Sequence, residues 1–159
     1  MVRRKAAVLF VIAAAIAASP AAAAEPRVAN GGGHGSVDGA LFSQFGFGVT
    51  ARAGGSARGH FNCLMAGATV FTGFEPLMKV SGRVSWANID VGAGTAVFGG
   101  SGTLNLGPSG IFRATFAVEV TAGGPGVGTL RLTVLSDRLG SSPVSLPLET
   151  VADGRISVG

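Results

Sequence analysis

Along most of the chain, hydrophobic residues alternate with polar or small residues in a period of two. The clearest case is residues 111–121, where Phe, Ala and Val occupy every second position and Arg, Thr and Glu stand among the others. Because successive side chains of a β-strand point to opposite faces, this pattern predicts a strand with one buried face. Residues 41–52 show the same alternation, with Ser43 on the apolar side.

Segments of the same kind predict further strands at residues 60–65, 77–86, 95–106, 129–135, 144–151 and 155–158. Clusters of glycine and proline separate them, for example at residues 107–110 and 123–126, and Asp153 with Gly154 marks another turn. These residue types adopt the backbone conformations of tight turns. The chain is therefore predicted to be all-β, as an antiparallel β-sandwich or a flattened β-barrel of about eight short strands.

Glycine is unusually frequent, with 27 residues, and several glycines fall inside predicted strands, at Gly46, Gly48, Gly100 and Gly102. Because glycine weakens a strand, we expect these positions to mark bulges, barrel corners or close approaches of two backbones. Residues 25–39 include three consecutive glycines and lack apolar alternation, so this segment is predicted to be flexible. Residues 40–159 are predicted to form a single β domain.

The first 24 residues have the layout of a secretory signal peptide. Three basic residues at positions 3–5 precede an apolar run at residues 6–17, and small residues follow up to Ala24. The run is shorter than the roughly 20 residues of a membrane-spanning helix, so cleavage after Ala24 is expected. The mature chain is therefore predicted to be secreted, to an extracellular, periplasmic or cell-surface location, with no transmembrane segment.

Removal of this leader changes the charge balance of the chain. Of the 12 Lys and Arg residues, three lie at positions 3–5, so nine remain against eight Asp and Glu. Sequence-independent nucleic-acid binding requires several clustered basic contacts. The near-neutral mature chain predicts no basic stripe and no nucleic-acid partner.

The cysteine and histidine residues give little support to a metal site. Cys63 is the only cysteine, so we expect a buried, small apolar side chain, with an intermolecular disulfide or a reactive thiol as alternatives. His60 lies three residues before Cys63, and on a strand these two side chains point to opposite faces. His34 lies in the glycine-rich segment and is interpreted as a solvated loop residue. No metal and no cofactor are predicted.

No catalytic constellation is visible in the sequence. The chain has no G-x-S-x-G motif, and the strand pattern lacks the helices that present such a nucleophile. Glu75, Glu119 and Glu149 are the candidates for a carboxylate pair. Glu119 and Glu149 are assigned to solvent-facing strand positions, so they are interpreted as scattered surface carboxylates, and no catalytic residue is predicted.

Aromatic composition bears on ligand binding. The chain has no tyrosine and one tryptophan, Trp86, so recognition of sugars on stacked aromatic rings is disfavoured. Trp86 is interpreted as a core or sheet-edge residue, with a role as a single ligand anchor as the alternative. Trp86, His60 and Cys63 are the candidate ligand-binding residues.

Several short blocks together resemble a known family. They are the phenylalanine–glycine alternation at residues 45–49, residues 59–63 and 116–120, the glycine turn at residues 124–129, and residues 154–158. Over roughly residues 31–159 the chain resembles the post-COAP domain family. The resemblance implies a small exported bacterial all-β module and assigns no activity to any residue.

These observations favour a secreted, non-catalytic β module that binds an extracellular protein or a surface component. The alternative is a lipocalin-like barrel that encloses a small apolar ligand, with Phe45, Phe47, Phe112 and Phe116 lining a cavity, or an enzyme built at its mouth. A third possibility is assembly of several copies through exposed glycine-rich edge strands.

Overall fold

A computed structural model of the chain describes residues 25–52, 54–66 and 77–159. The predicted signal peptide at residues 1–24 and the candidate carboxylate Glu75 lie outside these residues. The described residues form nine strands: β1 (Arg27–Val37), β2 (Ala40–Ala51), β3 (Ser56–Ala66), β4 (Leu77–Asp90), β5 (Thr95–Asn105), β6 (Ile111–Thr121), β7 (Thr129–Leu135), β8 (Val144–Ser145) and β9 (Glu149–Val158). A short 3-10 turn, Gly107–Ser109, joins β5 to β6.

The strands close into a barrel. Each strand from β1 to β6 pairs antiparallel with the next strand in the chain, and β9 lies between β7 and β1. Eight strands thus form a closed antiparallel barrel, and the two-residue β8 pairs with the end of β7 as an extra strand. The predicted all-β antiparallel fold is confirmed, and of the two architectures left open it is the barrel. Because closure gives the barrel strands neighbours on both sides, it removes the open edges that assembly between copies would use.

The prediction of a flexible segment at residues 25–39 is wrong for most of its length. Residues 27–37 form β1, which pairs with β2 on one side and β9 on the other. The glycines make space for side chains from neighbouring strands: a Cβ added at Gly31 would lie 2.8 Å from Cε1 of the Phe47 ring. Backbone hydrogen bonds on both sides therefore hold a strand that has almost no apolar side chains of its own.

Two other boundaries differ from the prediction. The turn expected at Asp153 and Gly154 is a bulge within β9, where the register with β1 shifts between His34 and Gly35 and Gly154 has φ +95°. The strand expected at residues 144–151 is divided into β8 and the start of β9 at Pro147, which has no N–H for a ladder hydrogen bond.

Phenylalanine rings fill the centre of the barrel. The ring of Phe98 lies 5.0 Å from that of Phe47 and 6.1 Å from that of Phe61, and Phe61 lies 5.3 Å from Phe116, between ring centroids. Phe61 and Phe98 are fully buried. Gly82 accommodates Phe116, because a Cβ at position 82 would lie 2.8 Å from that ring. The alternation predicted for β2 and β6 therefore supplies the core, with large rings fitted over glycines.

Candidate functional site

A cluster of three polar side chains lies inside the barrel. Ser43 on β2, Cys63 on β3 and Glu149 on β9 are 5%, 0% and 1% exposed. The Ser43 hydroxyl donates a hydrogen bond to Oε2 of Glu149, and Oε1 of Glu149 has no hydrogen-bond partner among the described residues. A carboxyl group is therefore buried with one of its two oxygens lacking a hydrogen bond from the described residues.

The assignment of Glu149 to a solvent-facing position is wrong. In β9 the side chains of Glu149 and Val151 both point into the barrel, as the period of two requires. Because Val151 is apolar and lies two residues after Glu149, the period of two was the sequence signal that could have identified Glu149 as inward-facing. Gly35, on the adjacent β1, leaves room for the carboxyl: a Cβ there would lie 2.9 Å from Cδ of Glu149 and 3.0 Å from Oγ of Ser43.

Burial changes the acid–base properties of both ionisable groups in this cluster. Desolvation raises the pKa of the Glu149 carboxyl from its ordinary 4.5 to about 7, and the Ser43 hydrogen bond opposes this in part. The pKa of the Cys63 thiol rises from 9.0 to about 12, first through burial and then through the nearby Glu149 carboxylate. Cys63 is therefore a protonated core residue. All three side chains are shielded from solvent.

Trp86 lies on the outer surface of the barrel and is 43% exposed. A β-bulge in β4, where the register with β5 shifts between Val84 and Trp86, places both Ser85 and Trp86 on the outward face. The indole lies against Gly99 of β5, since a Cβ at that glycine would be 2.7 Å from Cε2 of the ring. The interpretation of Trp86 as a core or sheet-edge residue is therefore replaced by an outward-facing position on β4, a strand paired on both sides.

Trp86 stands at one end of a surface groove that crosses β4, β5, β6 and β7. The groove has two adjoining parts of about 420 and 610 Å³, which share Ser101, Thr115 and Leu135. We call this the outer groove; its wall residues include Trp86, Ser101, Thr115, Thr133, Leu135 and Pro143. Arg113 and Asp137 line its far part.

Basic side chains gather on the outer surface beside this groove. The exposed residues Arg58, His60, Lys79, Arg83 and Arg113, on β3, β4 and β6, form what we call the basic face. Arg83 stands directly opposite Ser101 of β5 and His60 of β3, and Arg113 is opposite Thr103. None of these five side chains forms an ion pair with a described residue. The expectation that no basic stripe exists is thus wrong, because pairing of the strands brings together residues that are scattered in the sequence.

The remaining candidate residues lie apart from one another. His60 is exposed on the outer surface and Cys63 is buried inside, so the two point to opposite faces of β3. His34 lies in β1 rather than in a loop, with its Nδ1 3.6 Å from Oδ2 of Asp153. Within residues 25–52, 54–66 and 77–159, no group of three or more His, Cys, Asp or Glu side chains is placed to hold a metal ion.

Comparison of the chain with protein-family models, curated proteins and solved structures gives no match. The part of the chain that the structure describes contains no helix with the length and apolar character needed to cross a membrane.

We predict that Glu149 makes stability fall as pH rises. The pKa of this carboxyl group is about 7 in the folded protein and 4.5 in the unfolded chain. Below pH 4.5 the group is protonated in both states and does not change the free energy of unfolding. Between pH 4.5 and 7 the unfolded chain loses the proton first, so the free energy of unfolding falls as pH rises. The full loss above pH 7 amounts to about 3 kcal/mol. Relative to wild type, Glu149→Gln is therefore expected to gain this much in free energy of unfolding between about pH 4 and pH 8. Urea denaturation at several pH values measures it, with the exposed Glu119→Gln as control. A pH-independent difference would contradict the prediction.

Cys63 is expected to resist thiol reagents in the folded protein. Its burial and raised pKa keep both access and thiolate population low. A colorimetric disulfide reagent should leave the native thiol unmodified and titrate one thiol per chain after full denaturation. Rapid labelling of the native protein, or a disulfide-linked dimer on a non-reducing gel, would support the reactive-thiol alternative instead.

The basic face predicts an asymmetry in fluorescence quenching. Trp86 is the only tryptophan, so its emission reports on the outer groove alone. Because unpaired cations concentrate anions near the indole, iodide is expected to quench Trp86 more strongly than caesium, and added salt should reduce the difference. The double variant Arg83→Gln/Arg113→Gln should reduce the difference between iodide and caesium quenching. Arg155→Gln on β9 should leave that difference unchanged. Equal quenching by the two ions in wild type would show the groove to be electrostatically neutral.

Proposed function

We propose that this protein is a secreted, non-catalytic binding module that recognises an extracellular or cell-surface component through the outer groove. The observation that carries the proposal is a half-exposed tryptophan at the end of an open groove, beside cations that have no partner among the described residues. Unpaired cations and exposed aromatic rings are common features of recognition surfaces. The leader-like residues 1–24 support an extracellular setting.

A non-catalytic role agrees with the chemistry of the accessible residues. The groove offers hydroxyl groups at Ser101, Thr115 and Thr133, and a hydrolytic enzyme would need a general base within hydrogen-bond distance of one of them. His60 lies two strands away from Ser101, a distance of about 10 Å between backbones. The acid–base cluster of Ser43, Cys63 and Glu149 is buried and cannot reach the groove.

The alternative function, a lipocalin-like barrel for a small apolar ligand, has less support. Phe45, Phe47 and Phe116 point inward, where such a ligand would bind, and their rings contact other phenylalanine rings. A barrel whose interior is occupied by its own side chains has no room for a ligand without rearrangement. Membership of the post-COAP domain family is proposed on the sequence resemblance, and it agrees with an all-β exported module.

The proposal predicts saturable binding to a surface, with no turnover. Residues 25–159, labelled with a fluorophore, are incubated with envelopes of the producing cells, and the bound fraction is measured at increasing protein concentration. Wild type is expected to bind saturably, and Trp86→Ala to bind at least about fivefold more weakly, because truncation of an aromatic contact residue removes much of the binding energy. Val28→Ala, on the outer face of the opposite strand β1, is the control and should bind as wild type does.

Two results would contradict this proposal. The first is turnover of ester, peptide or glycoside substrates that is lost on substitution of groove residues, which would identify an enzyme. The second is a small apolar ligand that copurifies with the folded protein in native mass spectrometry, which would favour the lipocalin-like alternative.

A further inference from the structure

We infer that the ligand of the outer groove is an anionic polysaccharide, bound with one sugar ring on Trp86 and its acid groups against Arg83 and Arg113. This inference depends on the proposed function, since it names the chemical class of the groove's ligand.

The shape of the groove suits a chain rather than a compact molecule. The groove crosses from β4 to β7, which corresponds to three strand spacings or about 14 Å. It is open to solvent, and its two parts of about 420 and 610 Å³ are continuous through Ser101, Thr115 and Leu135. A polymer can therefore enter and leave at the ends of the groove while several of its units remain in contact with the protein.

The lining matches the mixed surface of a sugar. The indole of Trp86 offers an apolar ring face on which the C–H groups of a sugar ring can pack. Around it stand the hydroxyls of Ser85, Ser101 and Thr115, each able both to donate and to accept a hydrogen bond, and the hydroxyl of Thr133, which already shares a 2.8 Å hydrogen bond with Ser145. Hydroxyl groups with both capacities complement the hydroxyls of a polysaccharide.

The charges indicate that the polysaccharide is anionic. Arg83 on β4 is opposite Ser101 and Arg113 on β6 is opposite Thr103; both are exposed on the outer surface, and Arg113 lines the groove itself. Guanidinium groups bind carboxylates through paired hydrogen bonds, and these two have no carboxylate partner among the described residues. Lys79, His60 and Arg58 extend the basic face beyond the groove. Asp137 lines the far part of the groove together with Arg113 but forms no ion pair with it, so Arg113 keeps its charge available there, and Arg83 on β4 is the cation on the Trp86 side.

Two other anionic polymers fit less well. Single-stranded nucleic acids are bound by several aromatic side chains on which successive bases stack. Here Trp86 is the only tryptophan, the chain has no tyrosine, and the rings of Phe61, Phe98 and Phe116 are buried. An acidic peptide would need pockets for alternate side chains or an open strand edge, and the groove lies on the face of a closed barrel.

The test compares four polymers by isothermal titration calorimetry with residues 25–159. They are polygalacturonate, the same polymer fully methyl-esterified, poly-glutamate and oligo-thymidylate. The esterified polymer is the matched control, because it keeps the sugar rings and loses the charge. Polygalacturonate is expected to bind at least about tenfold more tightly than each of the other three, with affinity that falls as salt is added. It should also shift Trp86 emission to the blue and protect it from quenching.

Variants locate the site. Trp86→Ala and the double variant Arg83→Gln/Arg113→Gln are each expected to weaken polygalacturonate binding at least about tenfold. Arg155→Gln removes one exposed cation from β9 and should leave binding unchanged. These side chains are exposed on the outer surface, so the variants should keep the circular dichroism spectrum and unfolding midpoint of wild type, and both are checked.

The outcomes separate this inference from the proposed function. Equal binding of the charged and esterified polymers would overturn the anionic class, and preference for poly-glutamate or oligo-thymidylate would overturn the polysaccharide class. Polygalacturonate binding that survives both groove variants would overturn the site. If none of the four polymers binds while envelope binding still depends on Trp86, this inference fails and the proposed function stands.

Discussion

Closure of the barrel by β9 is the constraint on which the rest of the structure depends. Once β9 pairs with both β7 and β1, every inward position of eight strands faces the same enclosed space. That space must be filled at the density of a protein interior. The chain fills it with large rings over glycines, as Phe47 over Gly31 and Phe116 over Gly82 illustrate. Since the interior is occupied by the protein's own side chains, the polar and charged side chains that remain open to solvent lie on the outer surface.

The same constraint explains the unusual chemistry of Glu149. A carboxyl group at an inward position of a closed barrel cannot turn to solvent, so it loses hydration and its pKa rises. The Ser43 hydroxyl compensates for part of this loss, and Gly35 provides the space. A buried acid of this kind lowers stability at neutral pH, a cost that the apolar core has to offset. On the outer surface, the five side chains of the basic face have no carboxylate partner among the described residues.

Much of the fold followed from the alternation of side chains, because period-two patterns predict both strands and their buried faces. β6 and β7 have the predicted bounds, β2 is displaced from its predicted segment by one residue, and β3 begins four residues before its predicted segment and ends one after it. β1 was missed because its pairing depends on backbone hydrogen bonds and on phenylalanine rings of β2 that pack over its glycines. Neither feature is visible in a glycine-rich sequence. Trp86 was misplaced because a bulge reverses side-chain direction without a sequence signal. The basic face was missed because it forms only when β3, β4 and β6 come together.

The pairing of β1 with β9 joins strands from opposite parts of the chain, with Ala29 opposite Val158. Bringing together residues so distant in sequence closes a long loop and has a large entropic cost. This cost has to be offset before the contacts stabilise the fold. The barrel therefore cannot close during synthesis until β9 has emerged. Until that last pairing forms, β1 and β7 each keep one row of unpaired backbone groups, and the rings meant for the interior stay in contact with water.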